Sequence, residues 1–286
     1  MAADPPARLL LCTDLDRTLI PNGRQPESPA ARSLFARLVQ RPEVTLAYVS
    51  GRDAALVAEA IVDYALPSPD WVVADVGTTL LEVAPDGWRA HRGWHQSIGV
   101  DWAGRTAQDL HQLLADLSPL QLQEPAKQNT YKLSYYLHLD VDVPSLCAEI
   151  ERRLELEQLR ASLITSMDEQ AEIGLLDVLP PAATKLHAVR FLMELLGFDS
   201  SETLFCGDSG NDLPVMTSDL PSVLVANADP ALMAQLGCSA GERSPRETLY
   251  LAQGGFMGMN GNYAAGIVEG VLHFHPQLSG WLAEPC

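Results

Sequence analysis

The sequence predicts an α/β fold in which a parallel sheet with flanking helices is interrupted by an inserted α+β module. Short buried strands alternate with helical patterns near the start of the chain, and the same alternation resumes near its end. The segment between them has a half-exposed strand beside two amphipathic helical patterns. We therefore expect residues 1–81 and 181–286 to form a parallel core, and residues 82–180 to form the inserted module.

The first predicted strand, Leu9–Cys12, leads into the run Asp14-Leu15-Asp16-Arg17-Thr18. Residues two apart in a strand point the same way, so Asp14 and Asp16 are expected to reach one spot at the carboxyl end of the sheet. Two carboxylates and a hydroxyl suit covalent catalysis on phosphate, in which one acid attacks and the other carries a proton. Asp and Thr also favour turns and helix caps, so this run needs support from other segments.

Two further strands are predicted in the first part of the chain, Val44–Ser50 and Trp71–Gly77. A helix is expected between the first two strands, where Ser28 caps it and a proline takes its first position. Ser50 stands at a strand end before a helix, where a hydroxyl and the helix N-terminus can bind a phosphoryl oxygen. The same pattern is also typical of an ordinary helix N-cap.

The inserted module is predicted from the aromatic-rich strand Thr130–Asp140. Its alternation is typical of an antiparallel strand with one buried and one solvated face. The apolar face comprises Tyr131, Leu133, Tyr135 and Leu137. Two helical patterns, near residues 110–117 and 146–154, and the strand-like runs ASLIT and IGLLDVLP complete a small α+β module.

The β–α pattern of the core then resumes. Thr184 is expected to cap a helix that Gly197 closes. The strand Leu204–Cys206 runs into an acidic, glycine-rich turn, and the run VLVANA predicts another strand. An amphipathic helix is expected over residues 262–274.

Three acidic or basic positions of this second part point to phosphate chemistry. Lys185 opens a helix, where a cation opposes the helix dipole, so a nearby anion would explain its placement; the alternative is an ordinary solvated lysine. Asp208 and Asp212 follow a strand end and, together with Asp14, would make an oxygen-only site that suits Mg²⁺. Such residues also form plain polar turns, but two Asp-rich strand ends in one α/β domain are hard to explain as turns alone.

Composition limits the class of protein. The 286 residues are 47% hydrophobic with a net charge of −18, which argues against non-specific binding to nucleic acid or anionic membranes. The five cysteines are scattered and include no C-x-x-C, as expected of reduced thiols rather than disulfides or a zinc site. Neither a signal peptide nor a membrane-spanning segment is recognised, so we expect a cytoplasmic protein.

Taken in order, these segments resemble the motifs of haloacid dehalogenase (HAD) superfamily phosphatases. Asp14–Thr18 matches the first motif, Ser50 the second, Lys185 the third and Gly207–Asp212 the fourth. The resemblance covers nearly the whole chain. It implies a HAD-like Rossmannoid parallel sheet core that carries out catalysis, with the inserted α+β module as a cap that determines substrate specificity.

The resemblance also implies a role for each motif residue. Asp14 would attack phosphorus and form an aspartyl-phosphate, while Asp16 would protonate the leaving alcohol and then activate water. Thr18, Ser50 and Lys185 would hold the phosphate and orient the nucleophile. The implied Mg²⁺ ligands are Asp14, the backbone carbonyl of Asp16, Asp208 and, in support, Asp212.

More narrowly, the chain is similar to sucrose-phosphate phosphatases. The similarity rests on DLDRT, DVGT, QNTYKLSYYLHLD, LFCGDSGND, VANA and GNYAAGIVEGVLHF. The implied substrate-binding residues are Gly51, Arg52, Gly77, Thr78, Asn129, Lys132 and Asn211. The stretch TSMDEQAEIGLLDVLP departs from the compact Ser-Gly-Lys-Asp loop expected in that family, because Asp168 and Glu169 replace part of it.

Several functions therefore stay open at this point. The first is a Mg²⁺-dependent phosphatase of sucrose-6-phosphate; the others in the same class act on mannosylfructose, glucosylglycerol or mannosyl-phosphoglycerate phosphates. A phosphomannomutase-like mutase would use the same acids but return the phosphoryl group to sugar. A non-enzymatic binding protein is disfavoured because every catalytic role is filled. A small sugar phosphate is the expected partner, and association with the glycosyltransferase that makes it is a further hypothesis.

Overall fold

The computed structural model describes residues 8–168, 171–238, 244 and 246–280. The chain divides into two compact units, one built from the chain up to Ala90 and from Lys185 onward, the other from His91 to Thr184. Numbered in chain order through both units, the strands are β1 Leu9–Thr13, β2 Val44–Val49, β3 Trp71–Ala74, β4 Thr79–Ala84, β5 Gly87–Ala90, β6 Gln121–Leu122, β7 Leu133–Leu137, β8 Ser162–Asp168, β9 Ile173–Leu179, β10 Thr203–Gly207, β11 Ser222–Leu224 and β12 Leu249–Leu251. The helices are α1 Ala31–Val39, α2 Ala54–Asp63, α3 Arg92–Ile98, α4 Ala107–Leu114, α5 Val143–Leu156, α6 Lys185–Leu196, α7 Leu213–Met216, α8 Pro230–Gln235 and α9 Ala264–Phe274.

The first unit is organised around one sheet. Among the described residues, eight strands form it in the order β12-β11-β10-β1-β2-β3-β4-β5. Its pairs are parallel except for β3–β4 and β4–β5, which are antiparallel. β1 lies in the middle with all its residues buried, as suits an apolar strand covered on both faces. The predicted parallel α/β core is confirmed.

The order of the strands brings the polar motifs to one edge of the sheet. β1 lies between β10 and β2, and the Asp14 N–H after β1 donates to the Cys206 carbonyl in β10 at 2.9 Å. After β2, the Ser50 N–H donates to the Val73 carbonyl in β3 at 2.9 Å. The carboxyl ends of β10, β1 and β2 therefore present Asp208, Asp14 and Ser50 side by side.

The hairpin β4–β5 extends the sheet where the sequence placed the start of the inserted module. Residues 82–90 pair with this sheet through β4 and β5. β3 ends at Ala74 instead of Gly77, because Asp75, Val76 and Gly77 have φ of 53°, 59° and 105°, which no strand accommodates. The predicted boundaries at residues 82 and 180 stay a prediction of where the specificity module begins and ends.

Helix α9 is buried more completely than its sequence predicted. Ala264–Val271 are buried without a break, so the helix is not amphipathic over this stretch. Two glycines permit this burial, since a Cβ on Gly270 would lie 2.2 Å from Val223 and one on Gly266 would lie 2.3 Å from the Gly261 carbonyl. The predicted cap of α1 is also wrong: Ala30 is the N-cap, and the Ser28 hydroxyl donates to Asn260 Oδ1 at 2.9 Å.

The inserted unit has its own core. Within the described ranges its sheet has four strands in the order β6-β7-β9-β8, all antiparallel, and the apolar residues of β7 and β9 pack with α4 and α5. β7 starts at Leu133 rather than Thr130, because residues 130–131 form a turn that Asn129 and Lys132 close with paired backbone bonds of 3.1 and 3.4 Å. Glu169, which the sequence analysis singled out, lies outside the described residues. None of the helices in the described ranges has the length and apolarity needed to span a membrane.

Candidate active site

Asp14 is held at the end of β1 by a buried lysine. The residue is 4% exposed; Oδ1 accepts from the Leu15 N–H at 2.7 Å, and Oδ2 lies 3.0 Å from Lys185 Nζ. Burial raises the pKa of Asp14 to about 7, although the charge of Lys185 opposes this rise. Asp14 is therefore a fixed carboxyl group whose ionisation depends on further positive charge at the site.

Lys185 is the first residue of α6 and is 2% exposed. Burial on its own would lower the pKa of Lys185, but the carboxylates of Asp14 and Asp212 outweigh it and raise that pKa. Nζ donates to Asp212 Oδ1 at 2.7 Å. The alternative of a solvated surface lysine is wrong, because Lys185 is a buried cation between two acids.

Asp208 follows β10 and faces the first motif. Its Oδ1 accepts from the Thr18 hydroxyl at 3.1 Å. Its Oδ2 is buried and accepts no hydrogen bond from the described residues, the nearest cation being Arg17 Nε at 3.4 Å. Burial, with a contribution from Asp212, raises the pKa of Asp208 to about 6. One carboxylate oxygen is thus left with unmet bonding capacity at the centre of the site.

Asp212 has both carboxylate oxygens occupied. Oδ1 accepts from Lys185, while Oδ2 accepts from the N–H groups of Asp208 and Ser209 at 3.0 and 3.1 Å. A glycine is needed opposite, because a Cβ on Gly207 would lie 2.4 Å from Asp212 Oδ2. Asp212 therefore shapes the loop that carries Asp208 and orients Lys185.

The three acids meet the requirements of a hard cation. Asp14, Asp208 and Asp212 each offer an oxygen, and these atoms lie within 4.8 Å of one another. The donors are oxygen only, which suits Mg²⁺. The unpaired Oδ2 of Asp208 is the atom that a cation would satisfy. The residues present therefore fit the implied metal, with Asp212 the least available of the three because of its protein contacts.

The Asp16 carboxylate lies outside this triad. Arg52 forms a bidentate pair with it, in which Nε donates to Oδ2 and Nη2 donates to Oδ1, both at 2.7 Å. Asn22 Nδ2 also donates to Oδ1, at 2.7 Å. Partial burial alone would raise the pKa of Asp16, but the bonds and charge of Arg52 outweigh it and lower that pKa. As a metal ligand, Asp16 is thus left with its backbone carbonyl, the atom that the family resemblance implies.

The Ser50 loop is tied to the turn after β3. Ser50 is fully buried and its Oγ accepts from the Arg52 N–H at 3.2 Å. The N–H groups of Asp75 and Val76 donate to the carbonyls of Arg52 and Ser50 at 2.8 and 3.3 Å. This turn holds the non-glycine residues Asp75 and Val76 at positive φ, a conformation that costs energy and clusters at functional sites.

The predicted substrate-binding residues fall into two groups. In the first unit, Gly51 has Asn211 close by, since a Cβ on Gly51 would lie 4.0 Å from Asn211 Nδ2. Thr78 is 1% exposed, and its hydroxyl donates to the Asp75 carbonyl at 3.1 Å, so it stabilises the turn. In the inserted unit, Lys132 is 8% exposed and pairs with Asn129 across the tight turn.

Sequence reasoning missed three residues that touch the motifs. Arg17 lies within the first motif and approaches Asp208, and Asn22 bonds the Asp16 side chain. Asn227, in the run VANA, donates to the Arg17 carbonyl at 2.6 Å. Arg17 and Asn227 stand in the runs DLDRT and VANA, and Asn22 stands in the turn just after DLDRT. The Asn227 contact could not be predicted because it joins residues 210 positions apart in the chain.

A parallel α/β core with these four motifs at the carboxyl edge of its sheet defines a phosphatase of the HAD superfamily. The chain belongs to the sucrose-6F-phosphate phosphohydrolase family, whose model matches residues 7–275. A Nitrosococcus oceani protein described only as a HAD-like hydrolase is 50% identical over 278 residues, which is 96% of this chain and 74% of that protein.

Other relatives carry more specific names. A mannosylfructose-phosphate phosphatase of Agrobacterium fabrum is 29% identical, covering 93% of this chain and 96% of that protein. Sucrose-phosphatase 1 of Nicotiana tabacum is 27% identical over 94% of this chain, which spans only 60% of the tobacco protein. The solved sucrose-phosphatase of Synechocystis sp. PCC6803, in complex with sucrose and phosphate, matches with a TM-score of 0.69 and 25% identity, covering 94% of this chain and 98% of that chain.

Proposed function

We propose that this protein hydrolyses the phosphate monoester of a glycosyl phosphate, with sucrose-6-phosphate as the first candidate substrate, through a covalent intermediate on Asp14. The observation that carries the proposal is the buried Asp14–Lys185 pair beside an Asp208 oxygen without a hydrogen-bond partner among the described residues. A nucleophile, a phosphate-binding cation and a cation-binding acid thus meet at one edge of the sheet.

The first half-reaction transfers the phosphoryl group to Asp14. A carboxylate oxygen of Asp14 forms a bond to phosphorus as the bond from phosphorus to the sugar oxygen breaks, and Asp16 gives that oxygen its proton. Lys185, fixed by Asp212, neutralises charge on the attacking carboxylate and on the phosphoryl group. The hydroxyls of Thr18 and Ser50 are proposed to hold phosphoryl oxygens, which for Thr18 means exchanging its bond to Asp208 for one to the substrate.

The second half-reaction returns the enzyme to its starting state. Water attacks phosphorus, Asp16 accepts the proton of that water, and the bond from phosphorus to Asp14 breaks to release phosphate. The Arg52 pair favours ionised Asp16, which suits this proton-accepting step. Proton donation in the first half-reaction needs protonated Asp16, so the Asp16–Arg52 pair has to open when substrate binds.

Mg²⁺ is the proposed cofactor. Asp14, Asp208 and the backbone carbonyl of Asp16 would hold it, with Asp212 in support through the loop that it shapes. When bound, the cation supplies positive charge that lets the acids ionise together and screens the phosphoryl group from the attacking carboxylate. Lys185 alone cannot neutralise three buried acids.

The sugar part of the proposal is supported by the relatives and not by a contact in this chain. Sucrose-phosphatases and a mannosylfructose-phosphate phosphatase are among the named relatives, so both disaccharide phosphates are candidates. Glucosylglycerol phosphate and mannosyl-phosphoglycerate stay open as well. Gly51, Arg52, Gly77, Thr78 and Asn211 in the first unit, and Asn129 and Lys132 in the inserted unit, are the residues proposed to bind substrate. Association with a glycosyltransferase and a cytoplasmic location stay predictions.

A phosphate-release screen tests this function. The purified chain with Mg²⁺ is assayed on sucrose-6-phosphate, the other disaccharide phosphates and simple hexose phosphates, and we expect the highest kcat/KM on a disaccharide phosphate. Asp14→Asn should lower kcat by about 10³-fold or more, since it removes the nucleophile. Asp86→Asn, which removes the same charge from an exposed pair with Arg89, is the matched control.

Three outcomes would count against the proposal. Equal rates on all sugar phosphates would defeat the disaccharide assignment. Isomerisation of a hexose phosphate without release of phosphate would identify a mutase instead. Full activity of Asp14→Asn, or activity that survives complete removal of divalent cations, would overturn the mechanism itself.

A further inference from the structure

Asn227 joins the loop after β1 to the segment before α9. Its Nδ2 donates to the Arg17 carbonyl at 2.6 Å, and its Oδ1 accepts from the Tyr263 N–H at 2.8 Å. The residue is 2% exposed, and it follows β11 at a position to which the mechanism above assigns no role. Both ends of the side-chain amide are used, so the position needs a donor and an acceptor in fixed directions.

Both backbone groups that Asn227 binds belong to residues in an unusual conformation. Arg17 has φ of 58°, and Tyr263 has φ of 51° with ψ of −132°. Non-glycine residues adopt positive φ at a cost, and they keep it only where surrounding contacts fix it. Asn227 supplies such a contact to both residues.

Arg17 lies directly between Asp16 and Thr18. Its left-handed φ turns the chain so that the Asp16 carboxylate meets Arg52 while the Thr18 hydroxyl meets Asp208. Any drift of the Arg17 peptide therefore moves the proton-transferring acid and the phosphate-binding hydroxyl together. Both backbone groups of Arg17 are held, because Asn227 binds its carbonyl and Asn22 Oδ1 accepts from its N–H at 2.9 Å.

The support behind Asn227 is itself rigid. Glu269 in α9 is 7% exposed and accepts from the N–H groups of Gln253 and Gly254 at 2.9 and 3.0 Å. A Cβ on Gly261 would lie 2.7 Å from Gly254 N, and the Gly261 carbonyl accepts from the Ala226 N–H at 3.0 Å. Residues 254–261, the glycine-rich segment before α9, thus pack against one another's backbone and are anchored to a buried helix. It provides a fixed reference for Asn227.

We infer that Asn227 is a positioning residue for phosphoryl transfer. Its bonds to the Arg17 carbonyl and the Tyr263 N–H hold the chain between Asp16 and Thr18 against the glycine-rich segment before α9. The inference rests on the proposed function for its catalytic consequence. The geometric part stands on the hydrogen bonds alone. It assigns a task to the VANA run and to the glycine-rich segment, to which the proposed mechanism gives no role.

Two variants separate geometry from charge. Asn227→Asp keeps the acceptor for Tyr263 but places an oxygen against the Arg17 carbonyl, and Asn227→Leu removes both bonds without adding charge. The control is Thr203→Val: the buried Thr203 donates its hydroxyl to the Asp199 carbonyl at 2.8 Å, so this near-isosteric change breaks a side-chain bond to a backbone carbonyl outside both the motif loop and the segment before α9. Circular dichroism and Tm establish that each variant folds.

The kinetic readout is the split between kcat and KM on the best substrate of the screen, with saturating Mg²⁺. We expect both Asn227 variants to lose about 10- to 100-fold in kcat with KM changed less than about threefold, because misplacement of reacting groups slows the chemical step more than it weakens binding. Thr203→Val should keep kcat within about twofold, even if its Tm falls by as much as the Tm of the Asn227 variants.

A second readout does not depend on activity. Hydrogen exchange measured by mass spectrometry should speed up at the amides of residues 15–20 in the Asn227 variants and not in Thr203→Val. Unchanged exchange there, together with unchanged kcat, would overturn the inference. Faster exchange in the Asn227 variants, combined with a wild-type chain that hydrolyses no phosphate ester, would instead refute the proposed function while leaving the positioning intact. Equal loss of kcat in Thr203→Val and in the Asn227 variants would reduce Asn227 to a general structural role.

Discussion

Asp16 and Asp14 are two residues apart, yet their surroundings push their ionisation in opposite directions. Burial raises the pKa of Asp14 to about 7, whereas the pair with Arg52 lowers the pKa of Asp16 despite its partial burial. Without a bound cation these directions are opposite to those that the proposed roles need, since Asp14 attacks as a carboxylate and Asp16 gives up a proton. Both roles therefore depend on charge at the site: a cation beside Asp14, and the opening of the Asp16–Arg52 pair. The motif itself predicted two acids in one place; their different roles depend on Arg52 and Lys185, which the fold supplies.

Arg52 is therefore expected to control the pH dependence of the reaction. Arg52→Gln removes the group that lowers the pKa of Asp16, so Asp16 should keep its proton to a higher pH. The basic limb of the pH profile of kcat should then shift to higher pH. The shift should be clearest for a sugar phosphate, because its alcohol needs a proton on leaving. A substrate with an acidic leaving phenol should show a smaller shift.

Arg32→Gln serves as the control for this prediction. It breaks a comparable pair with Glu27 at 2.7 Å outside the motifs. The profile of this variant should match that of the wild type. A basic limb that stays in place in Arg52→Gln would show that Asp16 is not the group that gives the proton.

At the scale of elements, strand order and motif spacing were readable from the sequence, while several element ends were not. The buried apolar runs form β1, β2 and β10, and the loops after these strands carry the predicted acids and serine. β3 ends early because Asp75, Val76 and Gly77 have positive φ, and no residue pattern in the sequence predicted that conformation at Asp75 and Val76. The burial of α9 on all sides depends on glycines that face β11 and the glycine-rich segment, a packing relation visible only in three dimensions.

Gly270 in α9 offers a test of that packing. Gly270→Ala should lower the free energy of unfolding by about 1–3 kcal/mol, because overpacking against Val223 outweighs the gain in helix propensity. In a Val223→Ala background the same change should be neutral or stabilising, since space has been made. Urea unfolding measures both values.

Gly280→Ala is the matched control for Gly270→Ala. Gly280 is helical, and a Cβ there meets no described atom within 4 Å. Its effect should stay within about 0.5 kcal/mol. A loss at Gly270 that persists undiminished beside Val223→Ala would contradict the packing account.

For the whole molecule, metal binding and stability should be linked through the acids of the site. Burial raises the pKa of Asp14 to about 7 and that of Asp208 to about 6, so without a cation the folded state favours their protonated forms. Unfolded aspartates ionise near pH 4, hence the contribution of these two acids to stability falls as pH rises from about 4 to about 7 and stays low above that range. Mg²⁺ pairs with the ionised forms and should reverse this loss.

The expected result is a Mg²⁺-dependent rise in Tm that is small at pH 5 and grows up to about pH 7.5. Calorimetric titration in buffers of different ionisation enthalpy should show proton release on binding near pH 6. Asp14→Asn should flatten the dependence. A Tm increase that is the same at pH 5 and pH 7.5 would contradict the link.

The central claim is that Asp14 carries the phosphoryl group during turnover. The most direct measurement is rapid acid quench of the enzyme reacting with excess substrate, followed by mass spectrometry of the peptide that contains Asp14 and Asp16. The account predicts one added phosphoryl group on Asp14, formed and lost at rates no slower than kcat and absent in Asp14→Asn. A phosphoryl group on any other residue, or none on a chain that is turning over, would contradict it.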